Sequence, residues 1–485
     1  MDRQNIWRLA KSDYLKLVPI LALAFYIAFI PNLDYSYPVH IDEWVHIAYS
    51  NSLLQAADIN YLEPFTGQPA SGLVSMLEVG FHVLFGVFHK ISGMSWIDIV
   101  RYFPGIILAV TTLSVYVLAR REGFGWEAAF FSCLIPTAVG IMGPAFFVPV
   151  AMGFLFVALS LFLVFNYRTF WSYLVLFIFT VFMIIMHATS AVLLILIVFP
   201  VIVLYLKSEP RHSLMLILIW AVPFLVTLPW TYDLILSTAQ SLLVLQPIPA
   251  NHDLPHIIKT YGYLPVGLGL LGIFWLALKG GVKNYGLVFG VLVVVVMMAI
   301  FFTLHYGVTL VYLRGILYAL LMLGIVAGAG LMAIKNLRLP TKLGVPLAVQ
   351  RIGYPLCLAL IVAVLVLGIP TRQNIPYYYM IDKEDYEAFV WIRDNLKDGY
   401  EKAILDPWKA TPFTALTEKY IYTRTHVAPT TKDKKAADFL RNGCKDTAFL
   451  RENGISIIYS LEPCSNPDLL EVRKNVYTLR ESTTQ

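Results

Sequence analysis

Apolar runs of membrane-crossing length, separated by short polar stretches, dominate this chain. A transmembrane helix needs about 20 predominantly apolar residues. On that criterion spans are predicted near 15–31, 101–119, 126–143, 146–166, 170–186, 188–206, 213–235, 261–279, 284–304, 308–334 and 352–369, about eleven helices in all. One more run, Leu73 to His89, is long enough to cross. Counting it would put Arg120 and Arg121 outside and invert every later loop. It also carries Glu78, His82 and His89, which suit an interfacial helix better than one facing lipid. It is therefore read as lying along the outer surface.

Beyond residue 370 the pattern changes. Asp382 to Asn395 is a charged amphipathic helix, Ala403 to Leu405 and Ile455 to Tyr459 are strand candidates, and helical stretches are expected near 432–441 and 445–453. The predicted fold is a polytopic α-helical membrane domain (1–370, with an outer loop at 32–100 bearing surface helices), followed by a small α/β exoplasmic domain (371–485).

Composition agrees with this and excludes other classes. The chain of 485 residues is 58% hydrophobic and 14% charged, against about a quarter charged in soluble domains. Its net charge of +5 is not gathered into a nucleic-acid patch. Arg3, Arg8, Lys11, Lys16, Arg120, Arg121, Arg168, Lys207, Arg211, Lys279, Lys283, Lys335, Arg338, Lys342 and Arg351 fall in loops on one side, while the other side keeps little beyond Lys90, Arg101, Lys259 and Arg314. That bias sets the N-terminus in the cytoplasm and residues 32–100 and the tail outside. No small-x-small cleavage site follows the first apolar run, which reads as an uncleaved helix. Cys133 and Cys357 lie in apolar runs as packing residues, and a disulfide between Cys444 and Cys464 in the outer tail is left open.

The chemistry concentrates just after the first span, in His40-Ile41-Asp42-Glu43-Trp44-Val45-His46. Asp42 reads either as the N-cap of a surface helix, with Glu43 favourable in its first turn, or as a base or metal ligand. His46 follows at helical spacing and shares a face with them. Downstream come a Pro-containing step, Gln68-Pro69-Ala70-Ser71-Gly72-Leu73, and Arg101-Tyr102-Phe103-Pro104-Gly105 opening the second span.

This order, an acidic pair after the first helix, a Pro-containing step into a surface helix and an Arg opening the second span, resembles the GT-C glycosyltransferases: protein O-mannosyltransferases, lipid A aminoarabinose transferases and oligosaccharyltransferase catalytic subunits. The likeness spans the layout of the whole chain and is specific over residues 38–121; Asp406-Pro407-Trp408 in the tail also resembles prokaryotic members. It implies transfer of a sugar from a polyprenyl phosphate or diphosphate to a lipid, glycan or protein acceptor on the outer face. Asp42 resembles the catalytic acidic residue and is the expected base. Glu43 is its partner or, with Asp42, a ligand to a divalent cation such as magnesium or manganese. Arg314 resembles the Arg near the lipid-linked phosphate. The chain has no Trp-Trp-Asp, and Met142-Gly143-Pro144-Ala145-Phe146 lacks a second acidic motif, so N-linked oligosaccharide transfer is not implied.

His40 and His46 are candidates for orienting the acceptor or phosphate. Arg101, at the mouth of the second span, is either an anchor or a phosphate contact, and Arg314 either snorkels to the interface or binds phosphate. His187 and His305, at outer span ends, are either structural or line the same cavity. Trp230 to Tyr263, with Gln246, His252, Asp253 and His256, is a long outer loop of a length that is often functional. A transporter or flippase of lipid-linked sugars, or a polysaccharide polymerase or ligase, would share much of this layout. Transporters, however, place charges mid-membrane on broken helices, whereas here they gather at one surface. Sugar, acceptor and metal dependence are not written in the sequence.

Overall fold

Apolar runs become helices wherever no Pro or Gly cluster interrupts them. Helix α1 (Asp13–Phe29) closes in a 3-10 turn over Ile30–Asn32 that contains Pro31. Then come α2 (Ile41–Ala56), α3 (Val79–Ser92), α4 (Trp96–Arg120) and the short α5 (Gly125–Ser132). The apolar series continues with α6 (Pro149–Asn166), α7 (Phe170–Ser208), α8 (Pro210–Ser241), α9 (Leu254–Tyr261), α10 (Tyr263–Lys279), α11 (Val282–Leu304), α12 (Thr309–Lys335) and α13 (Gly353–Gln373). The tail adds α14 (Lys383–Asn395), β1 (Lys402–Ile404), α15 (Pro407–Thr417), β2 (Tyr420–Ile421), α16 (Thr431–Arg441), α17 (Thr447–Glu452), β3 (Ile457–Tyr459), β4 (Leu469–Arg473) and β5 (Val476–Leu479). The structure, a computed structural model, describes residues 13–70, 78–138, 140–241, 244–245, 254–337, 352–425 and 429–480. Arg3, Arg8, Lys11, Ser71 to Leu77, Gln246, His252, Asp253, Arg338, Lys342 and Arg351 lie outside the described residues.

The chain is a multi-pass membrane protein. Among the described residues eight helices are long and apolar enough to cross, nine if the sharply bent pair α9–α10 is one span. The expected count of about eleven is not reached among these residues. The runs 170–186 and 188–206 fall on either side of a kink in α7, where His187 leaves helical geometry (φ −163°, ψ 86°) and two helices meet, as the sequence reading has it. The run 126–143 holds only the eight-residue α5. Pro136, Gly140, Gly143 and Pro144 halt the helix there, a break that average hydropathy does not register. The segment nevertheless lies antiparallel along α12. Glu127 pairs with Lys335 near one end (2.5 Å), and the Ile141 carbonyl accepts from Arg314 near the other (3.3 Å). The loop expected from Trp230 to Tyr263 is also shorter, since α8 extends to Ser241 and α9 begins at Leu254.

The chain folds as two compact units, one of residues 1–34 and 101–377, the other of 35–100 and 378–485. In the first, α12 is the most deeply buried of the long helices. Its neighbour α10 packs so closely that a Cβ at Gly272 would run into the Val326 carbonyl oxygen, and one at Gly330 into that of Leu268. Close backbone approach through small residues is how helices associate where water supplies no driving force.

The second unit revises the expected boundary at 370. The outer loop packs with the tail as one body. Tyr378 N–H donates to Val39 O (3.0 Å), Tyr35 Oη to Ile381 O (2.6 Å), Asn51 Nδ2 to Ala415 O (3.2 Å) and Ile421 N–H to Phe65 O (3.0 Å). Helix α3, 14 residues long, is too short to cross and packs on α2, with Gly86 against Leu54. The tail is α/β as expected, with a five-stranded sheet in the order β2-β1-β3-β5-β4, parallel from β2 to β3 and antiparallel beyond. Buried Asp385 on α14 accepts from Lys409 Nζ (2.6 Å) and Tyr459 Oη (2.6 Å), tying α14, α15 and β3 together. Cys444 and Cys464 form a disulfide within a core of Ile404, Phe439, Leu450 and Ile458.

Candidate functional site

The acidic cluster opens α2 through a capping box. His40, not Asp42, is the N-cap: its Nδ1 accepts from the Asp42 N–H (3.1 Å). Glu43, three residues in, reaches back, and its Oε2 accepts from the N–H groups of Val39 (2.8 Å) and His40 (3.0 Å) while buried at 1% exposure. Such a reciprocal arrangement satisfies the donors that a helix start would otherwise leave open. Asp42, by contrast, keeps a side chain 36% exposed, with Oδ1 4.0 Å from His40 Nδ1. The His40 ring stacks on Tyr378 (5.4 Å between centroids), which meets Trp408 edge-on. Burial first, and the Asp42 charge second, push the Tyr378 hydroxyl up, so it remains a donor.

A cation chelated by Asp42 and Glu43 fits this geometry poorly. Consecutive helical residues do not face each other, and Glu43 Oε2 already serves two amides.

One turn along α2, His46 meets a group that sequence reasoning missed. Its Nδ1 lies 3.0 Å from His82 Nε2 and 3.8 Å from Glu78 Oε2. His82 stands on α3 and stacks on Tyr49. Burial pulls its imidazole down to about 3, so the ring is neutral. The signal in the sequence is the i, i+4 spacing of Glu78 and His82, which equally suits an interfacial helix. Nearby, Trp96 Nε1 donates to Asn51 Oδ1 (2.7 Å), and His89 stacks on Trp96.

In the other unit, two expected site residues stand on helices that touch through a hydrogen bond. At the bend of α7, His187 Nδ1 is 2.5 Å from Ser190 Oγ, which accepts from Tyr318 Oη (2.6 Å) on α12. Arg314, one turn from Tyr318, donates from Nη1 to Ile141 O (3.3 Å). His305 does something else: it ends α11 in a left-handed conformation (φ 58°, ψ 19°). Arg101 takes the anchoring alternative. Its Nη2 donates to Asn32 O (3.4 Å) and its guanidinium lies over the Phe29 and Tyr102 rings. Sequence reasoning also passed over Arg372, which ends α13 buried, donating to Gly368 O (2.8 Å) and to Leu134 O.

An apolar cavity of about 850 Å³ opens among α7, α11 and α12, lined by Leu196, Pro200, Phe289, Met297, Val311 and Tyr312. Val311 and Tyr312 precede Arg314 on the same helix.

No family model and no curated protein sequence matches the chain. Solved structures do. The archaeal oligosaccharyltransferase AglB from Archaeoglobus fulgidus, in complex with an inhibitory peptide and a dolichol-phosphate, superposes with a TM-score of 0.61 at 12% identity, over 92% of this chain and 69% of that one. ArnT from Cupriavidus metallidurans, bound to undecaprenyl phosphate, matches with a TM-score of 0.53 at 15% identity, over 96% and 98% of the two chains. The mycobacterial arabinofuranosyltransferase AftD matches with a TM-score of 0.57 at 15% identity, over 91% of this chain and 34% of its own. The fold is therefore GT-C-like.

Proposed function

We propose that this protein is a glycosyltransferase that takes a sugar from a polyprenyl-phosphate or polyprenyl-diphosphate donor and passes it to a lipid, glycan or protein acceptor at the outer face of the membrane. The observation that carries the reading is that α12 bears Arg314 and, at Val311 and Tyr312, lines the apolar cavity. A charged head group needs the first and a long isoprenoid tail the second. The GT-C-like fold supports it, since matched structures hold a dolichol-phosphate and an undecaprenyl phosphate. The Cys444–Cys464 disulfide supports an oxidising, extracytoplasmic setting for the tail, as does the bias of basic residues.

The chemistry asks for few groups. The bond between the anomeric carbon and the phosphate oxygen breaks while the acceptor oxygen or nitrogen bonds to that carbon. The acceptor proton passes to the Asp42 carboxylate, and the phosphate leaves as an anion stabilised by Arg314. Because that anion is a good leaving group, no acid is required.

The test is transfer by purified protein with a panel of polyprenyl-phosphate sugars. Asp42→Asn is expected to lower kcat by about 10²- to 10⁴-fold. Arg314→Ala is expected to raise the donor KM and lower kcat. Unimpaired turnover in Asp42→Asn would remove the base.

A further inference from the structure

We propose that His46, Glu78 and His82 form a binding site for a zinc-class divalent cation, distinct from the acidic pair at the start of α2. Three donor atoms from two helices converge there. His46 Nδ1, His82 Nε2 and a Glu78 carboxylate oxygen all lie within 4.8 Å of one another. The measured edges of 3.0 and 3.8 Å bracket the roughly 3.3 Å ligand–ligand separation that tetrahedral bonds of about 2.0–2.1 Å require.

Two nitrogens and one carboxylate oxygen are a donor set suited to zinc, which three protein ligands hold with a fourth position open. Magnesium, a hard ion that demands oxygen, suits it poorly.

The alternative is a plain hydrogen bond between two imidazoles, and it explains less. It leaves the Glu78 oxygen, at 3.8 Å, outside hydrogen-bonding range of His46 Nδ1. A metal ion would use the Glu78 oxygen and both imidazole nitrogens at once. Glu78, a quarter exposed, is the side from which an ion would arrive. Bound, the ion would clamp α2 to α3 one turn below Asp42. The site stands whether or not the chain transfers sugar.

The experiment uses the full-length protein purified in detergent and dialysed against zinc buffered by a weak chelator, with metal content then measured. About one equivalent is expected in the wild type, retained in excess magnesium. His82→Ala is expected to lose it. Glu78→Gln, which keeps shape at a partly exposed position, is expected to bind at least about tenfold more weakly. Cobalt loaded into the wild type is expected to show the visible absorption of a four-coordinate nitrogen–oxygen site, absent in both variants. Should His82→Ala fail to fold, Glu78→Gln decides. A wild type that holds no zinc, a zinc content equal in wild type and Glu78→Gln, or displacement by magnesium would overturn the proposal.

Discussion

Neighbouring carboxylates at residues 42 and 43 have unlike surroundings, and their variants should part accordingly. Glu43 is buried with its Oε2 accepting two backbone N–H groups, whereas Asp42 is about a third exposed beside His40. Glu43→Ala is expected to destabilise the protein by about 1–3 kcal/mol through the loss of a capping partner and buried donors left unpaired. Asp42→Ala should leave thermal unfolding nearly unchanged and abolish transfer. Melting curves in detergent set beside transfer rates check both. The sequence showed this cluster at once but not who caps whom. His40 as N-cap was illegible because Asp is the stronger prior at that position, and only the backbone path from Val39 decides between them.

Among elements, periodicity served well where helices are long and uninterrupted, and poorly where Pro and Gly break an apolar run. Averaging hydropathy over 126–143 hid Pro136, Gly140, Gly143 and Pro144, so α5 stops after eight residues. The break expected at His187 is met as a kink, where the residue leaves helical geometry yet sits buried with Ser190 and Tyr318 for company. The α10–α12 contact is silent in the sequence, although its means, Gly272 and Gly330, are visible. Gly272→Ala places a methyl against the Val326 carbonyl, a backbone atom that cannot rotate away. A loss of about 1–3 kcal/mol is expected, read as a lower melting temperature in detergent. A wild-type melt for this variant would mean that the two helices do not approach as described.

For the whole molecule, the second unit depends on pairings remote in the chain, and one of them is covalent. The Cys444–Cys464 bridge closes a segment of separation 20 around the tail's core. Closure of a loop that size contributes about 3 kcal/mol. Reduction, or Cys464→Ser, is therefore expected to lower the stability of the α/β tail while the membrane helices persist. Protease protection of the tail with and without reductant measures it.

The amino-acid sequence by itself determined the membrane class, most helices, the α/β character of the tail and the place where carboxylates gather. Those follow from local composition and periodicity, which act over a few turns. Tertiary structure alone decided that residues 35–100 pack with the tail, through bonds such as Asn51 to Ala415 across 364 positions. It alone brought His46 to His82 across 36 positions, and Tyr318 to Ser190 across 128. Nothing periodic encodes such meetings. They arise when buried faces find partners, and the polar groups carried inside must then satisfy one another or a ligand.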